Sequence, residues 1–283
     1  MSLVLTIAGY GFREALRRKV FVVVLLLTAA FLALYWLANH YIFRDIANVG
    51  APAWIEPRPF AGAFIFGLAM FATLFLGTVL AVFLTLGVVR GDAERGLLQP
   101  LVVRPIGRAT LLGARWLGAV AVCAPYVFAV YGAAMVITGL TGHWWPGHIV
   151  VPGIELAGGV AVIAALSLFG SVFLTSTANG IAVFMIFGAG LVAGLLGEIG
   201  HALNSHTLSH AARVAAWAIP FEALYQDGLH EITANTTGLT GLLLQLGPFG
   251  GANAGGHWLR LWAVAYLLII GALAALAFAR RDL

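Results

Sequence analysis

The sequence predicts an all-α membrane protein with six transmembrane helices, and two features of its composition support that prediction. Of its 283 residues, 61% are hydrophobic and only 9% are charged, whereas about 25% of the residues in a soluble domain are charged. The apolar residues also fall into six blocks of roughly 20 residues or more, the length that crosses a hydrocarbon core of about 30 Å. So few charges cannot cover a water-facing surface, and we expect residues 1–283 to form one membrane domain.

Residues 1–19, which precede the first block, predict an amphipathic helix that lies along the membrane interface. Leu5 and Phe12 recur at helical spacing, while Arg13 and Arg17 lie on another face. A helix with one apolar and one basic face rests in the headgroup region rather than crossing the membrane.

The six blocks predict six spans, whose middles contain no ionisable side chain. They occupy residues 20–38, 61–89, 116–140, 155–175, 180–198 and 258–279. Glu155 and Glu198 lie at span ends, where we interpret them as interfacial side chains that face water. Ion-driven transporters usually place an acidic residue or a histidine near mid-membrane, so this pattern disfavours ion coupling.

Residues 199–257 form a long polar region between the fifth and sixth spans. The stretch 211–228 predicts one or two short external helices before the last span. Arg213, Glu222 and Asp227 interrupt its hydrophobicity, so we do not expect it to cross the membrane.

The distribution of basic residues predicts the orientation of the chain. Eleven of the fifteen lysines and arginines lie in the N-terminal segment, in residues 90–115 or in the C-terminal tail. Basic loops remain on the cytoplasmic side, so both termini are predicted to be cytoplasmic in the plasma membrane. Because the basic residues flank the apolar blocks, the net charge of +4 indicates lipid headgroups rather than nucleic acid.

The chain has no means of hydrolysing ATP by itself. A phosphate-binding loop ends in Gly-Lys-Ser or Gly-Lys-Thr, and the only lysine is Lys19, which follows Arg17 and Arg18. We also find no paired acidic or histidine set within the spans for hydrolysis. We therefore predict that the chain is not an enzyme and that it binds no cofactor.

Residues 90–115 form the most densely charged segment and predict a short amphipathic helix. Asp92 and Glu94 suit the start of a helix because they complement its dipole, and Pro105 suits its end. Leu97 and Leu98 give it an apolar stripe. A helix of this kind is suited to docking in a groove of a soluble subunit.

This segment resembles the cytoplasmic loop of permease subunits of ABC-2-type transporters. That family pattern runs from an acidic-basic-x-Gly start through a leucine-rich stretch to a proline and an arginine. It is matched here by Glu94, Gly96, Leu97-Leu98, Pro105-Ile106, Arg108 and Leu112-Gly113, with Arg115 where lysine is commoner. Within the family, the chain most resembles permeases associated with multicopper-enzyme maturation.

The resemblance implies a permease that works as a homodimer, or with a similar subunit, on separate ABC ATPase subunits that bind ATP and Mg²⁺. Because the family is rich in exporters, it implies export. The residues expected to couple the permease to the ATPase are Arg13, Arg17, Glu94, Arg95, Gly96, Leu97, Leu98, Arg104, Pro105 and Arg108. Two alternatives remain open: an ion-coupled carrier or channel, and a non-transporting membrane scaffold subunit. The substrate stays open as well.

Two smaller patterns have competing interpretations. Gly190 and Gly194 form a small-xxx-small pair in the fifth span, which permits either a dimer contact or close packing within the bundle. His206 and His210 are four residues apart and would share a helix face, as metal ligands do. No cysteine or methionine cluster accompanies them, so solvated histidines are the favoured interpretation and no metal is expected.

Overall fold

The computed structural model describes residues 19–46, 57–86, 108–233 and 253–280. Within these ranges the chain forms eight α-helices and no β-strand. The helices are α1 (Lys19–Ile46), α2 (Pro57–Thr85), α3 (Arg108–Gly142), α4 (Val150–Phe173), α5 (Ser176–Ala202), α6 (His206–Ala218), α7 (Phe221–Thr233) and α8 (Gly256–Ala279).

Six of these helices, all except α6 and α7, are long and apolar enough to cross a membrane. The prediction of six spans and an all-α fold is therefore confirmed. Each helix begins before its predicted span, and α1, α3 and α5 also continue past its end, because polar residues at their ends still form helical turns. For example, α1 continues through Asn39, whose side-chain amide donates to the Tyr35 carbonyl oxygen over 2.8 Å, and ends at Ile46. Helices α2 and α4 end at Thr85 and Phe173, before the predicted ends at residues 89 and 175. Residues 108–115, which the sequence placed in the charged segment, form the first two turns of α3.

Helix α4 lies at the centre of the bundle, where it packs against α2, α3, α5, α7 and α8. In the most apolar stretches of α2 and α4, 72% and 67% of the residues are buried, against 17% in α1 and α8 and 22% in α5. Large apolar side chains on the outer three helices point away from the protein, among them Leu34, Met185 and Leu268. Lipid or another apolar surface must cover them.

Hydroxyl groups join the spans inside this apolar interior. Thr28 of α1 is hydrogen-bonded to Tyr126 of α3, and Tyr35 of α1 to Thr138 of α3. Thr85 at the end of α2 donates to the Ser167 hydroxyl of α4 over 2.7 Å. Such bonds satisfy polar groups that water cannot reach, so they fix how neighbouring spans pair.

Helices α6 and α7 form a cap at the end of the bundle opposite the start of α1 and the end of α8. α6 buries no residue, whereas α7 buries most of its length against α4. Phe221 of α7 packs on the bundle, with its ring 5.0 Å from the ring of Phe187 of α5. The expected short external helices before the last span are therefore present.

Candidate functional site

Most of the residues predicted to couple to an ATPase lie outside the described residues. These are Arg13, Arg17, Glu94, Arg95, Gly96, Leu97, Leu98, Arg104 and Pro105. Arg108 is the first residue of α3. The charged segment therefore continues directly into a long helix that crosses the bundle.

The first turns of α3 pack against α4 and α8 at the end of the bundle where α8 ends. Leu112 forms a buried apolar cluster with residues of α4 and α8, namely Leu168, Val172, Ala274 and Phe278. Since α4 is the central helix, a displacement at the start of α3 would reach the middle of the bundle through this cluster.

At the opposite end, Arg260 of α8 binds three carboxylates from two other helices. Its guanidinium Nη2 lies 2.8 Å from Glu155 Oε1, 3.1 Å from Asp227 Oδ2 and 3.2 Å from Glu231 Oε1. A second nitrogen, Nε, also donates to Glu155 Oε1 over 2.9 Å. His148, in the loop between α3 and α4, lies 2.8 Å from Glu231. We name Glu155, Asp227, Glu231 and Arg260 the arginine cluster.

The arginine cluster corrects our interpretation of Glu155 as a side chain that faces water. Only 2% of the Glu155 side chain is exposed, because α7 and the first turn of α8 cover the start of α4. Its partners Asp227 and Arg260 lie far away in the sequence, so no local pattern identifies them. A glutamate at a span end and an arginine at another span end on the same side are the only sequence signal for this pairing.

Asp227 also fixes the start of the last span. Its Oδ1 accepts hydrogen bonds from the backbone N–H groups of Gly255, at 2.7 Å, and Gly256, at 3.3 Å. Gly256 has a φ of +64°, a conformation that glycine adopts readily and other residues rarely do. Burial alone would raise the pKa of Asp227, but its interaction with Glu155, these two N–H groups and the charge of Arg260 lower that pKa below its ordinary value.

A cavity of about 390 Å³ lies close to the arginine cluster, between the cap and the C-terminal half of α5. Small residues form two of its walls: Gly190, Ala193, Gly194 and Gly197 on α5, and Ala212 and Ala216 on α6. Glu222 and Gln226 of α7 and Asn253 before α8 form its polar side. We name this space the cap cavity.

The glycine pair of α5 contacts the cap of its own chain. A methyl group at Gly190 would lie 2.6 Å from the Phe221 ring, and one at Gly194 would collide with the Glu222 carboxylate. The geometry agrees with the alternative of packing within the bundle, because a second copy could reach these glycines only by displacing α7.

The histidine pair lies on α6, where His206 and His210 are both exposed. In the described part of the chain, no three histidine, cysteine, aspartate or glutamate side chains come together in a way that could hold a metal ion. The two histidines thus have no third ligand among the described residues.

Comparison with known protein families finds a match that covers most of the chain. The family described as ABC-2 family transporter protein matches residues 5–283, which is nearly the whole chain. A search of curated proteins found no match.

Proposed function

The chain belongs to the ABC-2 transporter family, and on that premise we propose that it is the membrane permease subunit of an ATP-driven exporter. The family match over residues 5–283 is the observation that supports this proposal. The six apolar spans agree with it, since they account for most of the described chain. The proposal includes the system that the permease serves, which is multicopper-enzyme maturation, because the chain most resembles permeases associated with that process.

In this proposal the energy comes from a separate ABC ATPase subunit, which binds ATP and Mg²⁺, while this chain binds neither. The segment from Glu94 to Arg108, together with Arg13 and Arg17, docks on that subunit. Closure of the ATPase then moves the start of α3, and the apolar cluster around Leu112 passes the movement to α4 and α8. Continuity between the docking segment and α3 supports this route.

The proposed transporter contains two permease copies, or this chain and a similar one, in the plasma membrane. Both termini are cytoplasmic, which places the cap on the outer side. The exposed apolar faces of α1, α5 and α8 offer surfaces for lipid and for a second copy. Gly190 and Gly194 do not form that contact in this proposal, because α7 covers them.

The test is a mild-detergent pull-down of the tagged chain from its native host, with partners identified by mass spectrometry. The wild type should retain an ABC ATPase, and the double variant Glu94→Arg with Arg108→Glu should lose it. The matched control is Arg44→Glu with Asp45→Arg, which reverses one basic and one acidic residue at the exposed far end of α1.

The control should retain the ATPase as the wild type does. Absence of any ATPase from the wild-type sample, under conditions that keep other membrane complexes intact, would overturn the proposal and favour an ion-coupled carrier or a scaffold subunit. Equal retention by the loop variant would show that the docking segment is wrongly placed.

A further inference from the structure

The cap cavity has the size and lining of a small-molecule site. Its volume of about 390 Å³ lies in the range of roughly 300–1,000 Å³ that is typical of ligand pockets. The glycines and alanines of α5 and α6 present backbone and methyl surface, which favours an apolar group. Trp217 adds an aromatic wall, and its carbonyl oxygen accepts a hydrogen bond of 2.9 Å from the Trp262 indole, which ties this end of α6 to α8.

The polar side of the cavity combines the Glu222 carboxylate with Ser209, Arg213, Gln226 and Asn253. Glu222 is 3% exposed, and its Oε1 accepts a bond of 2.9 Å from the Gln226 amide. The Asn253 amide donates to Gln226 Oε1 over 3.2 Å and to Glu198 Oε1 over 2.8 Å. The carboxylates of Glu222 and Glu198 act as acceptors in this network, and their remaining lone pairs can receive a donor from a ligand.

Glu222 has no cationic partner among the described residues. Glu222 takes part in none of the ion pairs that Arg260 and His148 form. Arg213, the cation that lines the cavity, is exposed and forms none of them. An ionised carboxylate that is buried without a counter-charge is costly and tends to take up a proton instead, whereas a bound cation stabilises its ionised form.

We propose that the cap cavity binds a small primary ammonium compound with an apolar body, and that Glu222 is its counter-ion. The ammonium group donates to Glu222 and the apolar body lies against the small residues of α5 and α6. This inference goes beyond the proposed function, because such binding requires neither ATP nor a partner subunit. An anion would meet the Glu222 carboxylate, and a metal ion would lack a sufficient set of described ligands.

The protonation of Glu222 supports the same proposal and gives it a signature. Burial raises the pKa of Glu222 to about 8, with the charge of Glu198 adding to the effect and the bond from Gln226 opposing it. Below pH 8 the free carboxyl group therefore holds a proton, and an ammonium ligand must release it. The charged and polar groups that interact with Glu222 are Glu198 of α5 and Gln226 and Tyr225 of its own helix, while Arg213 of α6 lines the same cavity.

The experiment is titration calorimetry on the purified full chain in detergent, with benzylamine, benzyl alcohol and benzoate as matched cationic, neutral and anionic probes. Benzylamine should bind the wild type most tightly, and its affinity should rise by up to about tenfold per unit between pH 6 and 8. Titrations in buffers of different ionisation enthalpy should show close to one proton released per ligand at pH 6.

Glu222→Gln removes the charge but keeps the shape, and should weaken benzylamine binding by about tenfold or more and abolish proton release. Gly188→Ala is the matched control on α5, since a methyl group there meets no atom within 4 Å, and should bind as the wild type does. Ala216→Leu fills the cavity from the side opposite Glu222 and should also block binding, which keeps the test valid should Glu222→Gln fail to fold.

The proposal is overturned if the three probes bind equally, if benzoate binds best, or if Glu222→Gln and Ala216→Leu bind benzylamine as the wild type does. None of these outcomes bears on whether the chain associates with an ATPase, which the pull-down measures separately.

Discussion

The two ends of helix α4 are attached to the rest of the protein by different chemistry. Near its start, Glu155 pairs with the guanidinium of Arg260 at 2.8 Å. Near its end, Ser167 accepts a hydrogen bond from the Thr85 hydroxyl, and its carbonyl oxygen accepts one of 2.8 Å from the Asn179 amide. The first attachment joins α4 to the cap and the last span through charges, and the second joins it to α2 and α5 through neutral groups.

The difference follows from access to water. Arg260 keeps 35% of its side chain exposed and Glu231 keeps 23%, so water reaches this end of the bundle, where the buried Glu155 and Asp227 are paired with the arginine. Thr85, Ser167 and Asn179 are each at most 1% exposed, where an unpaired charge would be far more costly than a hydroxyl or amide. The charged end therefore responds to pH and to charge substitutions, whereas the neutral end responds to changes in packing.

The largest effect is expected from Arg260→Leu, which leaves three carboxylates without their cation. Two of them, Glu155 and Asp227, are 2% and 3% exposed. Breaking buried ion pairs costs about 3–5 kcal/mol, and we expect about 3 kcal/mol here because the arginine is partly exposed. Thermal unfolding in detergent measures the loss.

The control for this substitution is Arg260→Lys. Lysine keeps the positive charge but has a single nitrogen, so it cannot replace both guanidinium nitrogens that contact Glu155. Its loss of stability should be about half that of the leucine variant. Equal stability of Arg260→Leu and the wild type would mean that the cap is held by its apolar contacts alone.

A smaller effect is expected at the neutral end from Gly170→Ala in α4. The added methyl group would collide with Oδ1 of Asn179, so the asparagine must move and lose its bond to the Ser167 carbonyl. The expected cost is about 2 kcal/mol from overpacking and the lost hydrogen bond.

Gly132→Ala in α3 is the matched control, because nothing lies within 4 Å of its new methyl group. In a helix this exchange should raise stability by up to about 1 kcal/mol. The two variants are compared by thermal unfolding in the same detergent, and a shift of the same sign in both would contradict the close contact between Gly170 and Asn179.

The smallest effect is expected when the pH is lowered and Asp227, at the charged end of α4, takes up a proton. The pKa of Asp227 is lowered in the folded protein, since the bonds and charge that favour its ionised form outweigh its burial. A lowered pKa stabilises the fold above the ordinary aspartate value of about 3.9, and this contribution is lost as the pH falls through the folded value. Unfolding temperatures measured between pH 6 and pH 3 should fall less steeply for Asp227→Asn than for the wild type, and parallel curves would contradict this assignment.

Much of the fold follows from hydropathy, because length and apolarity suffice to identify the spans and the polar stretch that becomes the cap. Hydropathy does not show which spans are central. The most apolar stretch of α1 has a mean hydropathy of 2.7 and that of α4 a mean hydropathy of 2.1. Even so, α4 is the buried helix, since its small residues allow other helices to approach.

The arginine cluster and the cap cavity could not be predicted in the same way. Glu155 and Arg260 are 105 residues apart, and a charged residue at a span end is equally compatible with contact with water. The cavity depends on how α5, α6 and α7 come together, and Gly194 and Glu222 become neighbours only when α7 folds back onto α5. The predicted docking segment lies outside the described residues and stays a prediction.

The last span is held at both of its ends. Its first residues donate to Asp227 in the cap, and its last turns, with Ala274 and Phe278, pack on Leu112 at the start of α3. Its 24 residues form a rod of about 36 Å, which is stiff along its axis because every turn is hydrogen-bonded to the next. A displacement at one end of this rod would therefore be transmitted along its axis to the cap at the other end.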